Sequence, residues 1–142
     1  MTVAIKRVYE PVSRSDGARI LVDRLWPRGL TKEKAGLDDW LRGLAPSSDL
    51  RKWFHAQPEH WRDFRKRYLK ELAAPEAQED LRKLYNLTRE NKRVTLLFAS
   101  RNEDHNNATV LKELLDGMRK PPAGAGAGPL AASSRKAAIR RR

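Results

Sequence analysis

Val94-Thr95-Leu96-Leu97-Phe98-Ala99 is a short apolar run rich in branched residues, and Ser100-Arg101-Asn102-Glu103-Asp104-His105-Asn106-Asn107 follows it at once. The run has the length and composition of a buried strand. The polar burst contains neither Gly nor Pro, yet it gathers an Arg, a His, two acids, three Asn and a Ser. Val110, Leu111, Leu114, Leu115 and Met118 then recur at helical spacing. Strand, polar loop and helix in that order set the loop at the carboxyl end of a strand, where open α/β sheets bind their ligands. A solvated loop that merely caps the helix is the competing reading.

Further out, residues 3–9 alternate imperfectly and read as a first strand, and Glu10 to Gly17 reads as a turn or loop. Ala18 to Trp26 reads as a second strand, broken in character by Asp23 and Arg24 and closed by Pro27-Arg28-Gly29. From Thr31 the pattern turns helical, with Leu37, Trp40, Leu41 and Leu44 spaced i, i+3, i+4, i+7. Ser47 or Ser48 is placed to cap a helix carrying Leu50, Trp53 and Phe54. A further helix starts near Gln57-Pro58 and shows Trp61, Phe64, Tyr68 and Leu72 on one face, and another follows Pro75. Three strands with intervening helices predict one small α/β domain over residues 1–118, a short, mostly parallel sheet with a helix-rich middle. The Pro/Gly/Ala-rich stretch after Met118 predicts a flexible linker, and the basic end predicts a disordered tail, together residues 119–142.

With 142 residues the chain is long enough for a core without covalent staples. It has no Cys, which excludes disulfides, thiolate catalysis and Cys-based zinc sites. No apolar run approaches the roughly 20 residues that span a bilayer, and the first residues are too polar for a secretory signal. A cytoplasmic protein with no membrane partner is expected. Of the formal charge of +12, residues 119–142 carry seven positive charges and no acid, leaving +5 for residues 1–118. The body of the chain is therefore only mildly basic.

Arg24, Arg28 and Arg101 fall at or just beyond strand ends. If those strands are neighbours, their guanidiniums converge on the amino end of the last helix, which already favours negative charge. Arg offers a planar fork suited to phosphate or carboxylate. The expected site is thus one for a small anionic ligand, with Asn102, Asn106 and Asn107 orienting it. Trp26, between Leu25 and Pro27, is a pocket wall or ring-stacking candidate, whereas Trp40, Trp53 and Trp61 read as core. His105, oriented by Asp23 or Asp104, is the proton-transfer candidate if a reaction takes place. No metal or cofactor is expected, since Asp23, Asp104 and His105 obey no ligand-spacing rule and no Gly-rich loop follows a strand. The alternative is a nucleic-acid-associated module that uses Arg62, Arg65, Lys66 and Arg67 on the basic 61–72 helix together with Arg140, Arg141 and Arg142 of the tail. Its contacts would be weak, non-specific and salt-dependent.

Several stretches carry a resemblance to a known family. They are Ile5-Lys6-Arg7-Val8-Tyr9, Gly17 through Gly29 with its Asp23-Arg24-Leu25-Trp26-Pro27-Arg28-Gly29 end, Ala45-Pro46-Ser47, Leu50-Arg51-Lys52-Trp53-Phe54, Phe64-Arg65-Lys66-Arg67-Tyr68 and Glu103-Asp104-His105-Asn106-Asn107-Ala108. Over about residues 3–116 the chain resembles the YeaO-like branch of the domain of unknown function 488 family. The resemblance implies a compact cytosolic α/β domain and no established reaction. Other branches of the family place a Cys-His-Arg cluster after the corresponding strand. This chain has His105 and no Cys, so thiol chemistry does not carry over.

Overall fold

A computed structural model describes residues 2–122 of the chain. Four strands, β1 (Thr2–Arg7), β2 (Ala18–Leu21), β3 (Asp39–Trp40) and β4 (Arg93–Phe98), form one sheet in the order β1-β4-β2-β3. Every pair is parallel, with Ile5 opposite Leu96 and Ile20 opposite Leu96 on its other side. Five helices complete the domain: α1 (Lys32–Ala35), α2 (Ser48–Ala56), α3 (Trp61–Leu72), α4 (Pro75–Glu90) and α5 (Asn107–Asp116). The small α/β class, the parallel sheet and the helix-rich middle are as the residue pattern implies. Residues 123–142 lie outside the described residues, and with them most of the expected linker and tail, including Arg140, Arg141 and Arg142.

β4 is the centre of the sheet, and its composition follows from that position. Val94 through Phe98 are all buried, because both faces of a central parallel strand are covered. On one face Ala18, Ile20, Val22, Val94, Leu96 and Phe98 join Leu50, Phe64, Tyr68, Leu81, Leu84 and Leu111 from α2–α5 in the main core. On the other face Val8, Leu21 and Leu97 form a small cluster with Trp26, Leu30, Leu37 and Trp40. Beside that cluster the second face is polar. Arg19 and Asp16, both buried, pair at 2.6 Å, and Lys6 reaches the same carboxylate at 3.0 Å. Arg19 also donates to the carbonyls of Ala35 and Gly36, so one guanidinium fastens α1 under the sheet.

The loop from β1 to β2 must return to the start of the sheet, and Gly17 lets it do so. Its φ is 67°, and a Cβ there would stand 2.1 Å from the Arg93 carbonyl oxygen. A side chain at this position is excluded by both conformation and space.

Two expectations are corrected. Leu37, Trp40, Leu41 and Leu44 do not share a helix. α1 ends after one turn at Gly36, whose φ of 54° suits glycine, and β3 and a 3-10 turn at Arg42–Leu44 follow. Leu37 and Trp40 enter the small cluster while Leu41 and Leu44 enter the main core, so the spacing reflects two faces of a sheet. The second strand also stops at Leu21 rather than running to Trp26. The Asp23 carboxylate takes the Ala99 N–H at 2.9 Å, ending the ladder, and the chain turns so that Trp26 packs edge-on against Trp40.

Candidate functional site at the carboxyl edge of the sheet

Because β2 and β4 are adjacent and parallel, the loops that leave their carboxyl ends are neighbours. Asp23, two residues past β2, binds both the β4 exit and the start of α5. Its Oδ2 accepts from the Ala99 N–H, and its Oδ1 accepts from the Asn107 side chain at 3.1 Å. Asn107 Nδ2 also donates to the Val22 carbonyl at 2.9 Å, and the Trp40 indole N–H donates to the Asp23 carbonyl at 2.7 Å. Burial pushes the Asp23 carboxyl above its ordinary range, against the pull of the Ala99 and Asn107 bonds and of the Arg51 charge.

Tyr68 of α3 stands close to Asp23 and Asn107. Its hydroxyl donates to the Leu44 carbonyl, and the side chain is buried. Burial first, then the charges of Asp23 and Glu71, hold its phenol well above the usual tyrosine range. Neither Tyr68 nor Arg51 stands out in the sequence as a site residue. Tyr68 sits on a regular apolar stripe with Phe64 and Leu72, and nothing in its spacing marks the hydroxyl.

The loop after β4 is ordered by its own asparagines. Asn102 Oδ1 accepts from the backbone of Asp104 and His105, at 3.1 and 2.9 Å. Asn106 is the N-cap of α5: its Oδ1 accepts from the Thr109 N–H at 3.0 Å and its Nδ2 donates to the Asn102 carbonyl. Asp104 accepts the Thr109 hydroxyl through its backbone carbonyl. The His105 imidazole lies flat on the Trp61 ring, with centroids 4.5 Å apart and planes 12° from parallel. Among the described residues no hydrogen bond joins His105 to Asp23 or Asp104, so the expected carboxylate–imidazole pair is not formed. Asp23 is instead joined to Asn107.

Arg24, Arg28 and Arg101 are all exposed. Arg24 touches the Ala45 carbonyl at 3.4 Å, and none of the three has an acid within ion-pair distance among the described residues. The Arg28 carbonyl accepts the Tyr9 hydroxyl at 2.9 Å, which ties the post-β1 and post-β2 loops together. Trp26 is part of the small cluster and spends its indole N–H on the Leu30 carbonyl at 2.7 Å. Its ring partner is Trp40.

On α3, Arg62, Lys66 and Arg67 are exposed, as is Arg65, which pairs with Glu113 of α5 at 3.0 Å. No described helix is long and apolar enough to cross a membrane. Among the described residues no three His, Asp or Glu side chains are grouped to hold a metal ion.

The family model described as the inactive DUF488-N3 subclade matches residues 2–129. The uncharacterized protein YeaO of Escherichia coli K12 is 43% identical over 115 residues, covering 81% of this chain and 97% of that protein. Uncharacterized proteins of Mycobacterium bovis and Mycobacterium tuberculosis H37Rv are each 41% identical over 115 residues, 81% of this chain and 94% of theirs. No solved structure gives a significant match. With most of its length matched by the family model and by these relatives, the chain belongs to the DUF488 family, in the subclade described as inactive DUF488-N3.

Proposed function

We propose that this protein binds a small anionic ligand, of phosphate or carboxylate type, at the carboxyl edge of β2 and β4 and holds it without converting it. The observation that carries the reading is the parallel pairing of β2 with β4. It makes neighbours of the loops bearing Arg24, Arg28 and Arg101, ahead of the amino end of α5. Three exposed guanidiniums with no acidic partner among the described residues are free to take an anion, with Glu103 and Asp104 the acids that share the loop of Arg101. Free backbone N–H groups of a helix start favour the same charge. Asn102, Asn106 and Asn107 spend side-chain bonds on the loop, the helix cap and Asp23, so their part is to hold the arginine-bearing loops in place.

Binding without turnover fits three facts. His105 is stacked on Trp61, with no carboxylate bonded to it among the described residues. Both carboxylate oxygens of Asp23 are engaged. The family description itself reads inactive.

The test is thermal unfolding of the full chain with inorganic phosphate, pyrophosphate, citrate and sugar phosphates. A ligand at about 100 times its dissociation constant adds roughly 2.7 kcal/mol, a rise of several degrees in Tm. One class of anion is expected to give that rise, and Arg101→Ala is expected to abolish it. Silence across the panel, or a rise that survives substitution of Arg24, Arg28 and Arg101 together by Ala, would defeat the reading.

A further inference from the structure

A second surface is made by α2 and α3. Between α2 and α3 runs an open groove of about 630 Å³, within the range of small-molecule and cofactor clefts. Its wall includes Trp53 from α2 and Arg67, Lys70 and Glu71 from α3, with Ser47 and Asp49 at the start of α2. The Arg67 guanidinium stands 4.4 Å over the Trp53 ring. An indole holds a guanidinium through its π face. A guanidinium is also a plane on which a nucleic-acid base can stack.

The charges in the groove are unequally spent. Both oxygens of Glu71 are taken by Ser47, at 2.8 Å to its N–H and 2.6 Å to its hydroxyl. Arg67 and Lys70 have no acid within ion-pair distance among the described residues. Asp49, exposed on the rim, is the remaining acid of the wall. Beyond the groove the cations continue along α3. Arg62, Lys66 and Lys70 recur every fourth residue, about 6 Å apart along the axis, and all are exposed. The stripe is longer than one phosphate needs.

We infer that the α2–α3 groove binds single-stranded nucleic acid, with one base stacked on the Arg67–Trp53 pair and the sugar-phosphate backbone tracked by Lys70, Lys66 and Arg62. Single-strand binding combines a basic groove with flat platforms that accept bases. A duplex buries its base faces and has nothing to lay on Arg67. The site shares no residue with the anion site at the carboxyl edge, so either can fail alone.

The test is fluorescence anisotropy of the full chain with a labelled single-stranded deoxyadenosine oligonucleotide, and with an abasic strand of equal length and charge. Arg67→Gln combined with Lys70→Gln is expected to weaken binding of the deoxyadenosine strand at least tenfold. Arg67→Lys keeps the charge and removes the planar face. It is expected to weaken that strand several-fold while leaving the abasic strand unchanged. Replacing Arg140, Arg141 and Arg142 together by Ala is expected to lower the salt dependence and preserve the difference between the two strands. Equal affinity for the two strands, wild-type binding by the double variant, or loss of all binding in the tail variant would overturn the inference.

Discussion

Asn107 Nδ2 donates at once to the Asp23 carboxylate, at 3.1 Å, and to the Val22 carbonyl, at 2.9 Å. The first residue of α5 is thereby locked to the end of β2, and both are locked to β4 through the Ala99 N–H. This junction sets the distance between the two arginine-bearing loops. Asn107→Ala removes the donor and leaves a buried carbonyl unsatisfied, with an expected cost of about 1–3 kcal/mol in urea unfolding. Asn107→Asp should cost more, since it sets a second carboxylate against Asp23.

The two acids at opposite ends of β2 should give opposite pH slopes. The folded-state value of Asp23 is raised by burial. Its contribution is therefore fully present below the unfolded carboxylate value and is lost as pH rises through the raised folded one. Burial also acts against ionised Asp16, but the Ser13 N–H, Lys6 and Arg19 outweigh it and hold that carboxyl below its ordinary value. The Asp16 contribution is present above the unfolded value and lost as pH falls through the lowered one. Unfolding free energies measured across the acidic range should lose the first slope in Asp23→Asn, with the Asp16 slope retained.

Asp16→Ala strips Arg19 of its buried partner at 2.6 Å. Leaving one charge of a buried pair alone costs about 3–5 kcal/mol, and here α1 should loosen as well, because Arg19 also holds the Ala35 and Gly36 carbonyls. Urea unfolding reads the stability, and amide exchange at Ala35 and Gly36 reads the local opening.

His105→Ala separates packing from chemistry. Loss of the stack on Trp61 should cost about 0.5–1.5 kcal/mol and alter the Trp61 contribution to the fluorescence. Anion-induced stabilisation should survive in the variant. Its disappearance there would return His105 to the ligand site.

The legible parts of this chain were those where one element has one environment. Val94 to Phe98 reads as a strand because a central strand is buried on both faces. The polar burst after it reads as a strand exit, and in the structure Asn106 caps the helix that follows, because a helix start needs a side-chain acceptor. Residues 37–44 misread as a helix because the chain there serves two cores in turn, sending Trp40 to one face and Leu41 to the other. Periodicity cannot separate that pattern from a helical stripe. In the site, Arg24, Arg28 and Arg101 read as lying at or beyond strand ends, but that their loops are neighbours follows from the β2–β4 pairing, which local pattern does not show. The Asp23–Asn107 bond joins residues 84 positions apart, and the His105–Trp61 stack depends on the packing of α3, so neither follows from local pattern.

The most direct test of the anion site is a two-dimensional amide NMR titration of the full chain with pyrophosphate. Saturable shifts confined to the loops at residues 23–29 and 99–107, abolished by Arg101→Ala, are the expected result. Shifts confined to the α2–α3 groove, or no saturable shift at all, would contradict an anion site at the carboxyl edge of β2 and β4.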